Sequence, residues 1–534
     1  MPVNKPSDFL SPREITLLCL IMLMALAVRY LMFIGYQGFD DRTYVSYAWL
    51  FANGGDIAAS KLVDPWIGRA GAWLPMALSI KAFGTKEWVL CLYSLLVSIA
   101  TFPVLYILGR HLFGARTAMC ATLLLALLPL DVFYATRAFS DAAVGFWSFA
   151  AFTAFVLAID GDKRSTAFVA GLTFGIAYLT KETAVLLAIP IALVLFQRRV
   201  WPRNVFGWMA LGLLLAVCAE LAFWTLATDD PLYRWHATLA SRSEFVPPPK
   251  PVVTLWDRIP GPPPHEIFRS DNSLVEAILM FATNEEWGLL YYFVFPLAAL
   301  ALWRGGKGHR TLAIFIFSIV LLLLFFPLHF PNYTLNRDPR YYTMLSGAAL
   351  LLFSDWALKL RASTRNAAFL VLLVTWIPCL YVGYVSSDMG MEKAFARWLK
   401  QHSQETIWMT AFDASNAIVL SEFDRKLNVG IVRVRNNKLV DEAHQVLPSP
   451  LVAMRPDLPI APNIAALSGS LVAVPSKTAV PENWMLETTV VAPPNALAER
   501  VRNILSTIKF PPKYLAKIAP SQGKSMNIYR AAQQ

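Results

Sequence analysis

The chain has 534 residues, 56% hydrophobic and 16% charged, with a formal net charge of +11 and a mean hydropathy of +0.48. Soluble globular domains carry roughly 25% charged residues, so this composition excludes a wholly soluble protein and indicates a membrane protein with a polar appendage. The positive balance does not point to nucleic acid, because the basic residues fall in short clusters between apolar runs, a pattern that topology explains.

The first apolar run, about 15–36, can cross a hydrocarbon core of ~30 Å. No small-residue cleavage site follows it, so it reads as a retained span. Arg29 near its outer end reads as a snorkelling side chain. Further spans are predicted at about 88–109, 117–136, 142–159, 165–180, 183–197, 205–227, 287–303, 311–329, 343–358 and 366–385. The short links alternate in charge. One set, with the N-terminal segment, holds 15 Lys and Arg, among them Arg110, Arg116, Lys163, Arg164, Arg198, Lys307 and Arg365. The intervening links hold four: Arg137, Lys181, Arg337 and Arg340. By the positive-inside rule the first set is cytoplasmic. With the N-terminus inside, eleven spans place the C-terminus and the two long loops, 37–87 and 228–286, outside.

The first outer loop contains a broken semi-apolar stretch, Trp66 to Phe83, that reads as helices lying in the interface. The second is rich in proline (Pro247-Pro248-Pro249, Pro262-Pro263-Pro264) and reads as extended, a gate or a plain linker. Residues 1–385 thus form a transmembrane module. Residues 386–534 are predicted to form a small α/β domain, with helices over Glu392–His402 and Asn495–Ile508 and strands over Ile407–Ala411 and Leu427–Val434. It shows no glycine-rich phosphate loop and no catalytic triad, and reads as an accessory or acceptor-recognition unit.

The outer side collects the candidate chemistry. Asp40-Asp41 follows the first span; such a pair is either a solvated interfacial turn or a base beside an acceptor hydroxyl or amine. Asp141 opens the fourth span, as a helix cap or as a second site acid. Lys181, in Leu179-Thr180-Lys181-Glu182, can snorkel harmlessly or meet a phosphate as a point charge. Arg337 and Arg340 on the cation-poor side call for an anionic partner, Asp338 or a lipid phosphate. Arg242 is a weaker phosphate candidate, and Glu220 is an intramembrane acid in the seventh span. The five cysteines, Cys19, Cys91, Cys120, Cys218 and Cys379, all lie in apolar runs, which argues against disulfides and thiolate metal sites. The histidines show no metal-ligand spacing.

In order and spacing, residues 15 to about 358 resemble the polyprenyl-phosphate-sugar-dependent glycosyltransferases of the GT-C fold. The nearest patterns are those of the aminoarabinose lipid A transferases and the protein O-mannosyltransferases. The matching elements are Phe39-Asp40-Asp41-Arg42-Thr43-Tyr44, Lys81-Ala82-Phe83-Gly84, Ser140-Asp141, Leu179-Thr180-Lys181 and Arg340-Tyr341. The resemblance implies an inverting glycosyltransferase of the bacterial inner membrane. Its donor would be a sugar on a polyprenyl phosphate facing the periplasm, and its acceptor lipid A, another envelope glycan or a protein. Asp40 would act as general base or orient the acceptor, and Asp41 and Asp141 would position acceptor and sugar. Lys181, Arg340 and Tyr341, with Arg69 or Arg242, would bind the phosphate. No cofactor is required by the pattern, and the outer carboxylates leave a divalent cation open. A lipid or solute transporter is the alternative reading, although no internal repeat with interrupted helices is visible. A non-catalytic assembly subunit is a third.

Overall fold

The computed structural model describes residues 10–532 except 39, 58–65, 200–202, 245–287, 326–338, 388, 403, 436–437, 441–450, 452–453, 456, 494 and 509–524. The proline runs of the second outer loop, Arg337 and Asp338 lie outside the described residues.

The first part is a helical bundle. Its helices are α1 (Pro12–Leu31), α2 (Asp40–Ala52), α3 (Ala70–Phe83), α4 (Leu92–Phe113), α5 (Ala115–Leu125), α6 (Pro129–Ala135), α7 (Ser140–Gly161), α8 (Arg164–Thr180), α9 (Ala188–Arg198), α10 (Arg203–Thr228), α11 (Tyr233–Glu244), α12 (Leu290–Arg304), α13 (Lys307–Phe325), α14 (Ser346–Lys359) and α15 (Ala362–Ser386). Two 3₁₀ segments, Glu182–Leu187 and Pro339–Leu345, lead into α9 and α14. By length and composition five of the described helices can cross a membrane, and a sixth if α5 and α6, bent by 59°, form one broken span. The bend follows from sequence: Pro129 at the first turn of α6 has no N–H to continue the α5 ladder.

Leu20, Leu23, Leu214, Leu215, Leu370 and Ile377 are exposed on α1, α10 and α15, the apolar outer face that contact with lipid chains requires. Inside the bundle small residues let helices approach: a Cβ on Gly171 of α8 would fall 1.9 Å from the Met209 carbonyl oxygen of α10. Arg29 does not snorkel. It is buried and ion-paired to Asp131 of α6, while Ser98 donates to the same carboxylate at 2.9 Å. A paired, enclosed guanidinium costs less than one dragged through hydrocarbon alone.

After α15 come α16 (Gly390–Gln401), β1 (Ile407–Met409), α17 (Ala411–Leu420), β2 (Val429–Ile431), β3 (Val434–Arg435), β4 (Lys438–Leu439), β5 (Leu471–Pro475), β6 (Met485–Val491), α18 (Ala496–Thr507) and β7 (Ser525–Arg530). Five strands form one mixed sheet in the order β2-β1-β5-β7-β6; β1 runs parallel to β2 and β5, and β7 runs antiparallel to both its neighbours. On α16 the stripe Met391, Phe395, Leu399 recurs every four residues and is buried. The helix and strand expectations near 392, 407, 427 and 495 meet α16, β1, β2 with β3, and α18. Helix α17 and strands β5 to β7 complete the sheet and its cover.

This α/β unit packs on α2. Trp49 stacks on Phe423 with ring centroids 4.9 Å apart, Ser46 donates to Met454 Sδ at 3.3 Å, and Arg42 lies over the Phe412 ring at 5.4 Å. Helix α2 is therefore buried almost all round, from Thr43 to Leu50. It is a core element, whereas the stretch expected to lie in the interface, Trp66 to Phe83, contains α3, with Trp73, Met76 and Ile80 buried and Leu78 and Phe83 exposed.

Candidate active site

The site forms where α2, the start of α7, the end of α8 and the 3₁₀ segment before α14 meet. Asp40 and Asp41 occupy the first turn of α2, where the free amides of a helix N-terminus favour negative charge. The structure separates their environments. Asp40 is partly exposed and accepts from Arg340 Nη1 at 2.9 Å. Asp41 is fully buried and accepts from Arg137 Nη2 at 3.0 Å and the Gln37 amide at 3.2 Å. Burial pushes the Asp41 carboxyl above its usual range, against the pull of Arg137.

Asp141 lies in the first turn of α7 but makes no side-chain cap; the residue at the cap position is Phe139. Instead Lys181 Nζ donates to Asp141 Oδ1 at 2.6 Å, and both side chains are almost wholly enclosed. Asp141 Oδ2 is buried with no hydrogen-bond partner among the described residues. Lys181 reaches this position because α8 ends at Thr180, and α3 presses on that end. A Cβ on Gly71 of α3 would stand 2.7 Å from the Thr180 amide nitrogen, so only glycine permits the approach. Thr343 donates to the Asp141 carbonyl at 2.9 Å, tying the segment before α14 to α7.

Tyr341 is the hub of the cations. Lys181 Nζ lies 3.9 Å from its ring centroid and Arg340 Cζ 5.3 Å, within the range of cation–π attraction. Arg340 also stands over Phe139 at 5.0 Å. Arg69, at the start of α3, donates to Glu182 Oε2 at 2.9 Å and to the Tyr44 hydroxyl at 2.7 Å. Tyr44 lies one turn beyond Asp40 and meets Ser140 Oγ at 3.0 Å. Glu182 is shared with Arg234 of α11 at 3.2 Å, and Arg234 also holds Glu220 at 2.9 Å and the Tyr178 carbonyl at 2.7 Å. Burial opposes the charge on Glu182, but Arg69 and Arg234 hold its carboxyl below the usual range.

Of the residues expected from sequence, Asp40, Asp41, Asp141, Lys181, Arg340, Tyr341 and Arg69 come together in this one region. The Arg242 side chain lies outside the described residues. Two neighbours carry no motif, Arg234 and Asn416; Arg137 stands out in the sequence only as an outer-link cation, and Tyr44 only as the end of the Asp40 element. Asn416 of α17 receives a hydrogen bond from the Tyr36 hydroxyl at 3.0 Å, and so brings the α/β unit to the loop before Asp40. Among the described residues no group of three or more His, Cys, Asp or Glu could hold a metal ion.

The sequence model of the dolichyl-phosphate-mannose-protein mannosyltransferase family matches residues 70–224, from α3 to the end of α10. That range includes Asp141 and Lys181 but neither Asp40 nor Arg340. A curated relative, undecaprenyl phosphate-alpha-4-amino-4-deoxy-L-arabinose arabinosyl transferase 1 of Sodalis glossinidius (strain morsitans), is 30% identical over 188 residues. The match covers 33% of this chain and 31% of the relative, so it spans about a third of that protein's length. The crystal structure of ArnT from Cupriavidus metallidurans in the apo state superposes with a TM-score of 0.59 at 12% identity, over 97% of this chain and 99% of that one. The fold is GT-C. The apo oligosaccharyltransferase of Archaeoglobus fulgidus shares it, with a TM-score of 0.53 at 12% identity over 86% of this chain and 69% of that one. A structure of the Cupriavidus ArnT bound to undecaprenyl phosphate superposes with a TM-score of 0.54 at 13% identity, over 86% of this chain and 93% of that one. At these identities the fold is what is shared. The chain resembles the GT-C glycosyltransferases in sequence over α3 to α10 and in architecture over nearly all its length.

Proposed function

We propose that the protein is an inverting glycosyltransferase of the bacterial inner membrane that moves a sugar from a polyprenyl phosphate to an acceptor on the periplasmic face. The observation that carries this reading is the pairing of Asp40 with Arg340 and of Asp141 with Lys181, with both cations on the Tyr341 ring, from four elements of the chain. Such a transfer needs a carboxylate to take the acceptor's proton and cations to receive a leaving phosphate, within one partly enclosed volume.

In this reading an acceptor hydroxyl or amine attacks the anomeric carbon. The bond from that carbon to the phosphate oxygen breaks on the opposite face, and Asp40 accepts the acceptor's proton. Arg340 and Lys181 take up the charge that grows on the leaving phosphate, and Tyr341 fixes the spacing between them. Donors of this kind are commonly worth about 3 kcal/mol each in the transition state. Asp141 holds Lys181 in place, and its second oxygen is buried with no partner among the described residues. Asp41 acts at one remove, by holding Arg137 at the base of α2. Eleven spans, with the N-terminus cytoplasmic and the C-terminal α/β unit periplasmic, are the topology that puts these groups on one side.

The decisive experiment reconstitutes the full chain with labelled polyprenyl-phosphate sugars and follows their transfer to extracted envelope glycolipids and glycoproteins. Wild type transfers label and Asp40→Asn does not, with both proteins equally inserted and equally stable. Wild-type turnover by Asp40→Asn would remove Asp40 from the reaction.

A further inference from the structure

Each cation near Tyr341 is held by an acid: Arg340 by Asp40 at 2.9 Å, Lys181 by Asp141 at 2.6 Å and Arg69 by Glu182 at 2.9 Å. The pairs differ in how firmly they are closed. The Lys181 and Asp141 side chains are 4% and 0% exposed, so opening that pair would strand charge in an apolar interior. Arg69 and Glu182 are 16% and 35% exposed and are held by cross-bracing instead, Arg69 by Tyr44 and Glu182 by Arg234. Arg340 and Asp40 are 22% and 32% exposed. Water reaches both partners there, and a partly exposed pair is held less firmly than an enclosed one.

The same pair joins the proposed base to a proposed phosphate ligand. The Asp40 oxygen that accepts from Arg340 is already occupied and cannot at the same time receive the acceptor's proton. A phosphate is a stronger partner for that guanidinium, because it offers more acceptor oxygens and, as it leaves, a second negative charge.

We propose that Asp40–Arg340 is a latch opened by the donor: the phosphate takes Arg340, and Asp40 is released as a free carboxylate once donor is in place. The inference rests on the reading of Asp40 and Arg340 given above and adds an order of events to it. Donor binding precedes activation of the acceptor, and the empty protein keeps its base covered. The Lys181–Asp141 pair stays closed throughout and acts as the fixed anchor. The partly exposed pair is the element that moves.

The test is equilibrium binding of undecaprenyl phosphate to the full chain in lipid nanodiscs. If Asp40 competes with phosphate for Arg340, Asp40→Asn tightens binding by about 2- to 5-fold, the range that a partly exposed pair supports. Asp40→Ser, a smaller neutral side chain, gives the same gain and serves if the asparagine variant folds poorly. In an Arg340→Gln background, which itself binds more weakly, Asp40→Asn changes the affinity by less than about 1.5-fold, because the coupled partner is gone. Saturable wild-type binding with no gain in either Asp40 variant overturns the latch and leaves the donor reading standing. Absence of saturable wild-type binding overturns the donor reading and the latch with it.

Discussion

Lys181 Nζ stands 2.6 Å from Asp141 Oδ1, with the lysine closing the end of α8 and the aspartate opening α7. Two helix ends are joined by one enclosed ion pair, and Tyr341 covers the ammonium at 3.9 Å. Removing one member strands the other. Lys181→Ala is expected to cost about 3–5 kcal/mol of stability along with activity. Lys181→Met with Asp141→Leu recovers most of that stability and none of the turnover. Thermal unfolding in detergent, read beside transfer assays, separates the two losses.

Arg137 and Asp41 make the parallel case outside the spans. Burial raises the Asp41 carboxyl and Arg137 opposes it, so Arg137→Met raises it further. An acid whose folded pKa lies above its unfolded value binds more protons when folded, so its contribution to stability falls as pH rises through that window. Arg137→Met is therefore destabilised by about 3 kcal/mol at pH 8 and less at pH 5. Adding Asp41→Asn removes the pH dependence. A variant whose melting shows the wild-type pH profile would rule out Arg137 as the counter-charge.

The motifs legible in sequence are those that sit at helix ends in short links: Asp40-Asp41, Ser140-Asp141, Leu179-Thr180-Lys181 and Arg340-Tyr341. A link between apolar runs is conspicuous whatever its partner, and charge asymmetry is what assigns these links to one side in a reading of the sequence. Their partners were harder to read. Arg137 meets an acid 96 positions away, and Tyr36 meets Asn416 across 380. No local pattern encodes such pairs. A lone arginine near a span end looks the same in sequence whether it snorkels or, as Arg29 does, meets Asp131. Helix α2 hides for another reason. It is buried on nearly every side, by the bundle and by the α/β unit, so its sequence carries no strong apolar stripe. Strand β7 is half-buried and alternates, but a run of six residues cannot be told from a loop by periodicity alone.

Gly38 and Asn416 couple the α/β unit to the site. Gly38 has φ +80°, and a Cβ there would fall 2.7 Å from Asn416 Oδ1. Gly38→Ala both strains the backbone, by about 1–2 kcal/mol, and pushes Asn416 from the loop that leads to Asp40. Turnover is expected to fall at least tenfold with only a modest drop in melting temperature. Asn416→Gly in the Gly38→Ala chain restores space but not backbone freedom, so recovery is partial. Full recovery would assign the whole effect to the clash and none to the backbone.

Asp413, one turn before Asn416, supplies a pH test confined to the α/β unit. Burial pushes its carboxyl up to about 6, with Glu392 adding repulsion and Thr410 opposing through a 2.6 Å hydrogen bond. The folded state therefore holds a proton that the unfolded chain releases near pH 4, so this group favours the fold at low pH and its contribution is lost as pH rises from about 4 to 6. The loss is on the order of 3 kcal/mol across that window. Asp413→Asn keeps an acceptor for Thr410 and carries no charge to desolvate. It is expected to match wild type at pH 4 and to melt several degrees higher at pH 7.5, with the difference appearing between those values. The variant-minus-wild-type melting difference across pH isolates Asp413 from the other carboxylates. A difference that is flat in pH would show that Asp413 ionises in the fold as freely as in the unfolded chain.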